Sequence, residues 1–321
     1  MLSSDVNFYI GNHSSLNHIS DFVNLARLEL AQLGLPMSVS RDLHANKVNI
    51  ILENFSNPQL IDWIIKHFEE RDPRLWMIAT EIVKDGLLDS SNPASDEQVM
   101  GHYDPKSKEW LARTEGFHKV ISRFGRIICP AEPIVESLKD YVDSDVLAYW
   151  TLRYMSNDFV RDGYKKSFDA IPLPKKNHAV FTGSLTSYRS AMLDQMTKNG
   201  FKIAYSTSKT HDLLRYSLAS ESLFQLAPKH YLSTTSVSKM RLHWALNNDF
   251  QILVENCELK SDLDEFVIQY NSFDELVSLI KKENTQSEAR ALTERFKNWS
   301  SSQAPSFIPM VKYSLGLTQI T

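Results

Sequence analysis

His178-Ala-Val-Phe-Thr182-Gly183-Ser184-Leu-Thr186-Ser187-Tyr-Arg189 is the stretch on which the fold reading turns. A short apolar run ends in a glycine, hydroxyl residues follow, and an amphipathic run to Lys198 begins. That order predicts a strand, a tight turn and a helix with a Ser or Thr cap. Asn199-Gly200 closes the helix. Downstream the alternation repeats. Strands are predicted at 201–205, 223–227, 250–254 and 266–270. Helices are predicted at 210–218, 237–247, 274–282 and 288–299. A last segment, 305–316, is expected to pack back on the first half.

Upstream the same rhythm recurs. Val6-Asn-Phe-Tyr-Ile10 reads as a strand before Gly11-Asn12. Ile19, Phe22, Val23, Ala26, Leu30 and Leu33 recur at three and four, so 17–33 is a helix that stops at Gly34 and Pro36. Strands are predicted at 37–40, 48–52, 75–80 and 126–129. Helices are predicted from Asn57-Pro58 onward and at 106–124, with proline favoured in a first turn. The polar stretch 85–98 reads as a loop. The rhythm breaks over 143–174, which is rich in aromatic residues and closes with Ile171-Pro-Leu-Pro-Lys-Lys-Asn177. Strands that alternate with helices predict parallel sheets covered on both faces. The chain is therefore expected to be α/β, with two Rossmann-like domains facing a cleft. The expected division is 1–150, a linker at 151–177, a second domain at 178–304, and a C-terminal segment at 305–321.

Composition bounds the function. The 321 residues are 42% hydrophobic and 11% aromatic, enough for two cores and too apolar for a disordered chain. Two cysteines, Cys129 and Cys257, exclude a disulfide framework and a cysteine-rich zinc module. A net charge of −4 gives no nucleic-acid footprint. No signal-peptide pattern opens the chain and no apolar run is long enough to span a membrane, so the expected location is cytoplasmic. There is no Gly-x-Gly-x-x-Gly, Walker A or His-Glu-x-x-His pattern.

Two stretches carry chemistry. In the first, Gly183 permits close backbone approach, Ser184 offers a hydroxyl at a helix start, and Arg189 adds a cation. A helix N-terminus of this kind attracts phosphate. The plain alternative is an ordinary capped strand–turn–helix. In the second, Pro228-Lys229-His230-Tyr-Leu-Ser-Thr-Thr-Ser236-Val-Ser238-Lys239-Met-Arg241-Leu-His243 places a run of hydroxyls before a basic helix. Lys229, Ser236, Ser238, Lys239, Arg241 and His243 there suit a diphosphate or an anionic sugar. The alternative is a surface helix with a solvated basic face.

From about Ala179 to Lys282 the chain resembles the C-terminal nucleotide-sugar domain of GT-B glycosyltransferases, the short bacterial kind. Phe181-Thr-Gly183-Ser184 is similar to the opening strand and glycine loop of that family. Arg241-Leu-His-Trp244-Ala245-Leu246-Asn-Asn-Asp249 is similar to its donor-binding helix. Trp244 and Ser236 stand where many members carry acidic residues, and Asp249 replaces a glycine. The resemblance implies a glycosyltransferase that uses a nucleotide-sugar co-substrate and no other cofactor. It implies metal independence, with helix N-termini and cations neutralising the leaving diphosphate. The implied partner is a glycan or lipid-linked acceptor, with peripheral membrane contact in the lipid-linked case. The implied setting is surface polysaccharide or glycoconjugate synthesis. Neither the sugar nor the oligomeric state follows from the residues.

The base is sought in the first half, in loops that follow strands. His13 follows the first strand, where some members resemble this chain in placing a histidine base, and imidazole can accept a hydroxyl proton near neutrality. Asp42 follows the second strand and Glu81 the fourth; either carboxylate could serve instead. For each of the three a structural role is the competing reading. Two other functions stay open: a sugar-nucleotide epimerase, hydrolase or phosphorylase on the same fold, and a two-lobed ligand-binding protein.

Overall fold

The computed structural model describes residues 6–13, 19–88, 108–155, 174–207, 210–230, 236–304, 306–307 and 311. Contacts divide the chain into two units. One comprises Met1–Asn92, Gly101–Thr151 and Ala304–Thr321; the other is built mainly from Leu152–Gln303.

In the first unit the elements run β1 (Val6–Tyr9), α1 (Ser20–Gln32), β2 (Met37–Ser40), β3 (Val48–Leu52), α2 (Pro58–His67), β4 (Asp72–Ile78), β5 (Val83–Lys84), β6 (Leu87–Leu88), α3 (Lys108–Val120), β7 (Phe124–Cys129), α4 (Glu132–Leu138) and β8 (Leu147–Tyr149). Its main sheet has the order β2-β1-β3-β4-β7-β8, and every pairing in it is parallel. A parallel strand covered on both faces carries a continuous apolar run, and β3 is buried at all five positions. The Asn57 side chain accepts the Gln59 N–H at the start of α2, with Pro58 just inside. Leu60, Ile61 and Ile64 of α2 then pack in one cluster with Phe117 and Val120 of α3. Phe307, fully buried, meets Trp76 edge-on and Trp150 at a tilt, and Ser306 Oγ accepts the Thr151 N–H.

The second unit runs β9 (Asn177–Thr182), α5 (Ser187–Lys198), β10 (Ile203–Ser206), α6 (Asp212–Ser220), β11 (Ser222–Ala227), α7 (Lys239–Asn247), β12 (Ile252–Glu255), β13 (Ile268–Tyr270), α8 (Phe273–Lys281) and α9 (Thr285–Ser301). Its five strands are ordered β10-β9-β11-β12-β13, again all parallel. Phe181, Phe224, Leu226 and Leu253 form its core with Met196, Leu276 and Ala289 from the helices. Each unit is thus a Rossmann-like α/β layer.

Several expectations need correction. β4 begins at Asp72, because Pro73 and Arg74 continue the strand and Arg74 is held by Asp72. The loop expected after residue 85 holds a short hairpin, β5–β6, turned by Asp85 (φ 52°) and Gly86 (φ 77°); Asp-Gly is a favoured hairpin pair. The region read as an aromatic break contains β8, whose three residues pair with β7. Of the expected linker, Leu152 and Met155 are buried within the second unit, while 156–173 lie outside the described residues. Among the described residues no helix is long and apolar enough to cross a membrane.

Candidate functional site

Open parallel sheets bind ligands beyond the carboxyl ends of their strands, where the strand order reverses. In the first unit the chain leaves β1 for β2 on one side and returns to β3 on the other, so the reversal lies between β1 and β3. In the second it lies between β9 and β11.

At the second reversal β9 runs into Gly183, whose φ of 150° favours glycine. A Cβ there would stand 2.8 Å from Nη2 of Arg241 and 3.3 Å from the Phe181 ring. The backbone conformation favours glycine, and the tip of the Arg241 guanidinium lies directly over it. Arg241 comes from the first turn of α7, and its Cζ lies 5.7 Å from the centroid of the Phe181 ring. Tyr205 stacks on the same ring at 5.9 Å, and its hydroxyl donates to the Gly183 carbonyl at 3.3 Å. The loops after β9 and β11 are joined by Arg189, which donates to the carbonyls of Ser184 (3.0 Å), Pro228 (3.1 Å) and Lys229 (2.9 Å). Thr186 caps α5 and donates to the His230 carbonyl at 2.6 Å. Burial, then the charges of Arg189 and Arg241, push His230 down to about 3, so its imidazole stays neutral at physiological pH. Glu255, at the end of β12, accepts from the Tyr188 hydroxyl at 2.5 Å and from the Lys229 N–H at 2.9 Å. A glycine loop, a helix start and a half-buried arginine are the parts from which anion sites are commonly built.

The first reversal is built differently. Asn12 donates to the carbonyls of Leu52 (2.8 Å) and Asn54 (3.1 Å), and Asn54 donates back to Asn12 O at 3.0 Å. Side-chain amides thereby stitch the loop after β1 to the loop after β3. His13 follows in that turn, half-buried, its N–H on the Ile10 carbonyl. In the loop after β3, Glu53 is fully buried. One carboxylate oxygen accepts the N–H groups of Thr80 and Glu81, both at 3.2 Å, and the other meets Arg113 at 2.8 Å. The same Arg113 nitrogen reaches Glu81 at 3.1 Å. Arg113 can come this close because Gly116, one turn along α3, faces the Phe55 carbonyl; a Cβ there would sit 1.9 Å from that oxygen. Burial raises Glu53 to about 7; Arg113 opposes the rise and Glu81 adds to it. Burial alone would lower Arg113, but Glu53 and Glu81 overcome it and hold the guanidinium above its ordinary range.

The sequence matches no family model and no curated protein. The structure is similar to a crystal structure of Anabaena HepE in complex with UDP and glucose, at 8% identity, over 98% of both chains, with a TM-score of 0.51. The chain has the GT-B fold. Weaker likenesses are to the wall teichoic acid polymerase TagF (11% identity, 98% of this chain and 90% of that one, TM-score 0.45) and to the lipopolysaccharide outer core galactosyltransferase WaaB (8%, 97% and 98%, 0.38).

Within this GT-B chain the residues expected to hold a donor separate into two sets. Gly183, Ser184 and Arg241 stand together at the second reversal. Lys229 joins them through its backbone, and Ser236 is half-buried before α7. Ser238 is the exposed N-cap of α7 and makes no side-chain cap bond. Arg189 is a brace between loops, with three nitrogens committed to carbonyls. Lys239 is buried and paired with Asp262 at 2.6 Å, and His243 is buried with Nε2 on the Arg153 carbonyl at 2.7 Å. Ser233, Thr234 and Thr235 of the hydroxyl run lie outside the described residues. Of the candidate bases, His13 lies at the first reversal and Glu81 joins Glu53 and Arg113. Asp42 is exposed beyond the edge strand β2, its carbonyl accepting from Asn7 and Ser40.

Sequence reasoning passed over Glu53, Arg113, His230 and Glu255. A glutamate directly after a strand with four apolar residues out of five was the one available signal for Glu53. It also passed over two Asp-x-Asp pairs, the metal–diphosphate element of another glycosyltransferase fold. Asp143 and Asp145 both hold Arg71 at 2.7 Å, while Asp262 holds Lys239 and Asp264 accepts from Ser261. These carboxylates are engaged with protein groups, and among the described residues no cluster of metal-ligating side chains occurs.

Proposed function

We propose that the protein is a glycosyltransferase that moves a sugar from a nucleotide-sugar donor to a hydroxyl of a glycan or lipid-linked acceptor, without a metal. The observation that carries this reading is the Arg241 guanidinium seated over Gly183 at the strand-order reversal of the second sheet. A Cβ at that position would meet Nη2 at 2.8 Å, so the guanidinium lies against bare glycine backbone. A diphosphate at that place would receive the arginine, the Ser184 hydroxyl and the positive end of the α7 dipole. His230, kept neutral, adds a hydrogen-bonding group without a further charge. The fold shared with HepE, which was crystallised with UDP and glucose, favours a uridine diphosphate donor.

In the reaction the acceptor oxygen attacks the anomeric carbon, the bond to the diphosphate breaks, and a base takes the hydroxyl proton. Of the three candidates His13 ranks first. It stands in the turn at the first reversal, whereas one oxygen of Glu81 is committed to Arg113 and Asp42 lies beyond an edge strand. The setting we favour is synthesis of a surface polysaccharide or glycoconjugate.

Titration with UDP tests the donor site. Arg241→Ala removes a charge-assisted hydrogen bond of about 1.5–3 kcal/mol, so UDP affinity falls roughly tenfold to a hundredfold. Affinity equal to the native value removes the assignment. Release of UDP from UDP-sugars only when a glycan acceptor is added separates transfer from hydrolysis.

A further inference from the structure

Glu53 is used by none of the steps above, yet it is the most completely buried carboxylate at the functional end of either sheet. It directly follows β3 and faces three elements. The turn after β4 gives it the Thr80 and Glu81 N–H groups, α3 gives it Arg113, and β7 ends nearby in the Cys129 thiol. Cys129 is pushed up to about 12 by burial first and by the Glu53 charge second, so it stays a neutral thiol. Among the described residues, then, the charges around Glu53 are one guanidinium and one further carboxylate, Glu81.

We propose that Glu53 is a positioning residue whose protonation state governs how firmly the turn carrying Glu81 is seated at the first strand-order reversal. The argument is one of charge and space. Two carboxylates, 2.8 and 3.1 Å from one Arg113 nitrogen, share a single cation, and one of them has no access to water. With both ionised the cluster carries a net negative charge, partly in a dry place, which is costly. One proton held by the pair removes that cost. If the turn of Thr80 and Glu81 lifts, Glu53 loses N–H bonds that favour its ionised form, but it also gains water and sheds the Glu81 charge. Burial is the largest cause of its shift, so it returns towards ordinary carboxylate behaviour. The seated turn therefore binds the proton more tightly than the lifted turn does. Its closure is strongest below the ordinary carboxylate range and weakens as pH rises towards about 7, where Glu53 titrates in the seated state.

The place of Glu81 among the candidate bases rests on the proposed function; the behaviour of its turn with pH does not. The experiment is amide hydrogen exchange on the intact chain, with protection factors corrected for intrinsic rates, from about pH 5 to pH 8. Protection of the Thr80 and Glu81 amides is expected to fall by up to about tenfold per pH unit until about pH 7 and then to level. Ile50 and Ile51 in β3 should not follow this course. Glu53→Gln, which cannot ionise, should abolish the pH dependence and leave UDP affinity unchanged. Carbon-13 titration of the glutamate carboxyls in the native chain should show one group titrating near 7, even if the variant does not fold. A pH-independent protection at both amides, the same slope in Glu53→Gln, or no glutamate titrating above the ordinary carboxylate range would overturn the proposal. Failure of UDP to bind the native chain would sink the donor reading alone.

Discussion

The two strand-order reversals share a topology and differ in chemistry. At the first, Asn12 and Asn54 tie the loops together with amides, and the charge belongs to Glu53, Glu81 and Arg113. At the second, arginine does the tying: Arg189 binds three carbonyls, and Arg241 stands over a glycine with a neutral histidine beside it. Topology fixes where a parallel sheet can hold a ligand. The side chains at the strand ends decide which ligand. One end is acidic and amide-rich, suited to hydroxyl groups and proton transfer. The other is cationic, suited to phosphate.

Removing the cation from the acidic end should have the largest effect. Above about pH 7, where Glu53 is ionised in the native chain, Arg113→Ala leaves that buried carboxylate without its partner, and breaking a buried pair costs about 3–5 kcal/mol. Urea denaturation should register that loss, large against the roughly 5–15 kcal/mol that holds an ordinary domain together. A loss below about 1 kcal/mol would show that the Glu53 charge is not confined as described.

The second test concerns proton transfer. Loss of a general base typically lowers the rate about 10²- to 10⁴-fold. His13→Ala should reduce turnover on that scale and leave UDP affinity near native. If Glu81→Ala or Asp42→Ala gives this loss while His13→Ala does not, the base is a carboxylate.

The second reversal was far more legible in the sequence than the first, and the reason is range. Gly183 directly follows β9, which ends at Thr182, and α5 begins soon after at Ser187, so strand–glycine–helix could be read locally. Arg241 was visible as a cation in a helix start. Its neighbours misled because a sequence does not say which helix face turns inward. Lys239 and His243 are four apart and share a face, and that face is buried on Asp262 and the Arg153 carbonyl. Arg241, two residues from each, falls on another face. At the first reversal the decisive contacts join Glu53 to Arg113 across 60 residues and to Glu81 across 28, and no periodicity announces them. The α/β alternation itself was legible because each five-residue apolar run or amphipathic helix carries its own pattern. β8, at three residues, and the two-residue strands of the β5–β6 hairpin are too short to carry one.

The central claim is that phosphate belongs to the second reversal and not to the first. A crystal structure of the chain with UDP tests it most directly. The account predicts the diphosphate at Gly183 and Ser184, within hydrogen-bonding reach of Arg241. Diphosphate density at Asn12 and Glu53 instead, or a bound UDP whose phosphates make no contact with Arg241, would contradict it.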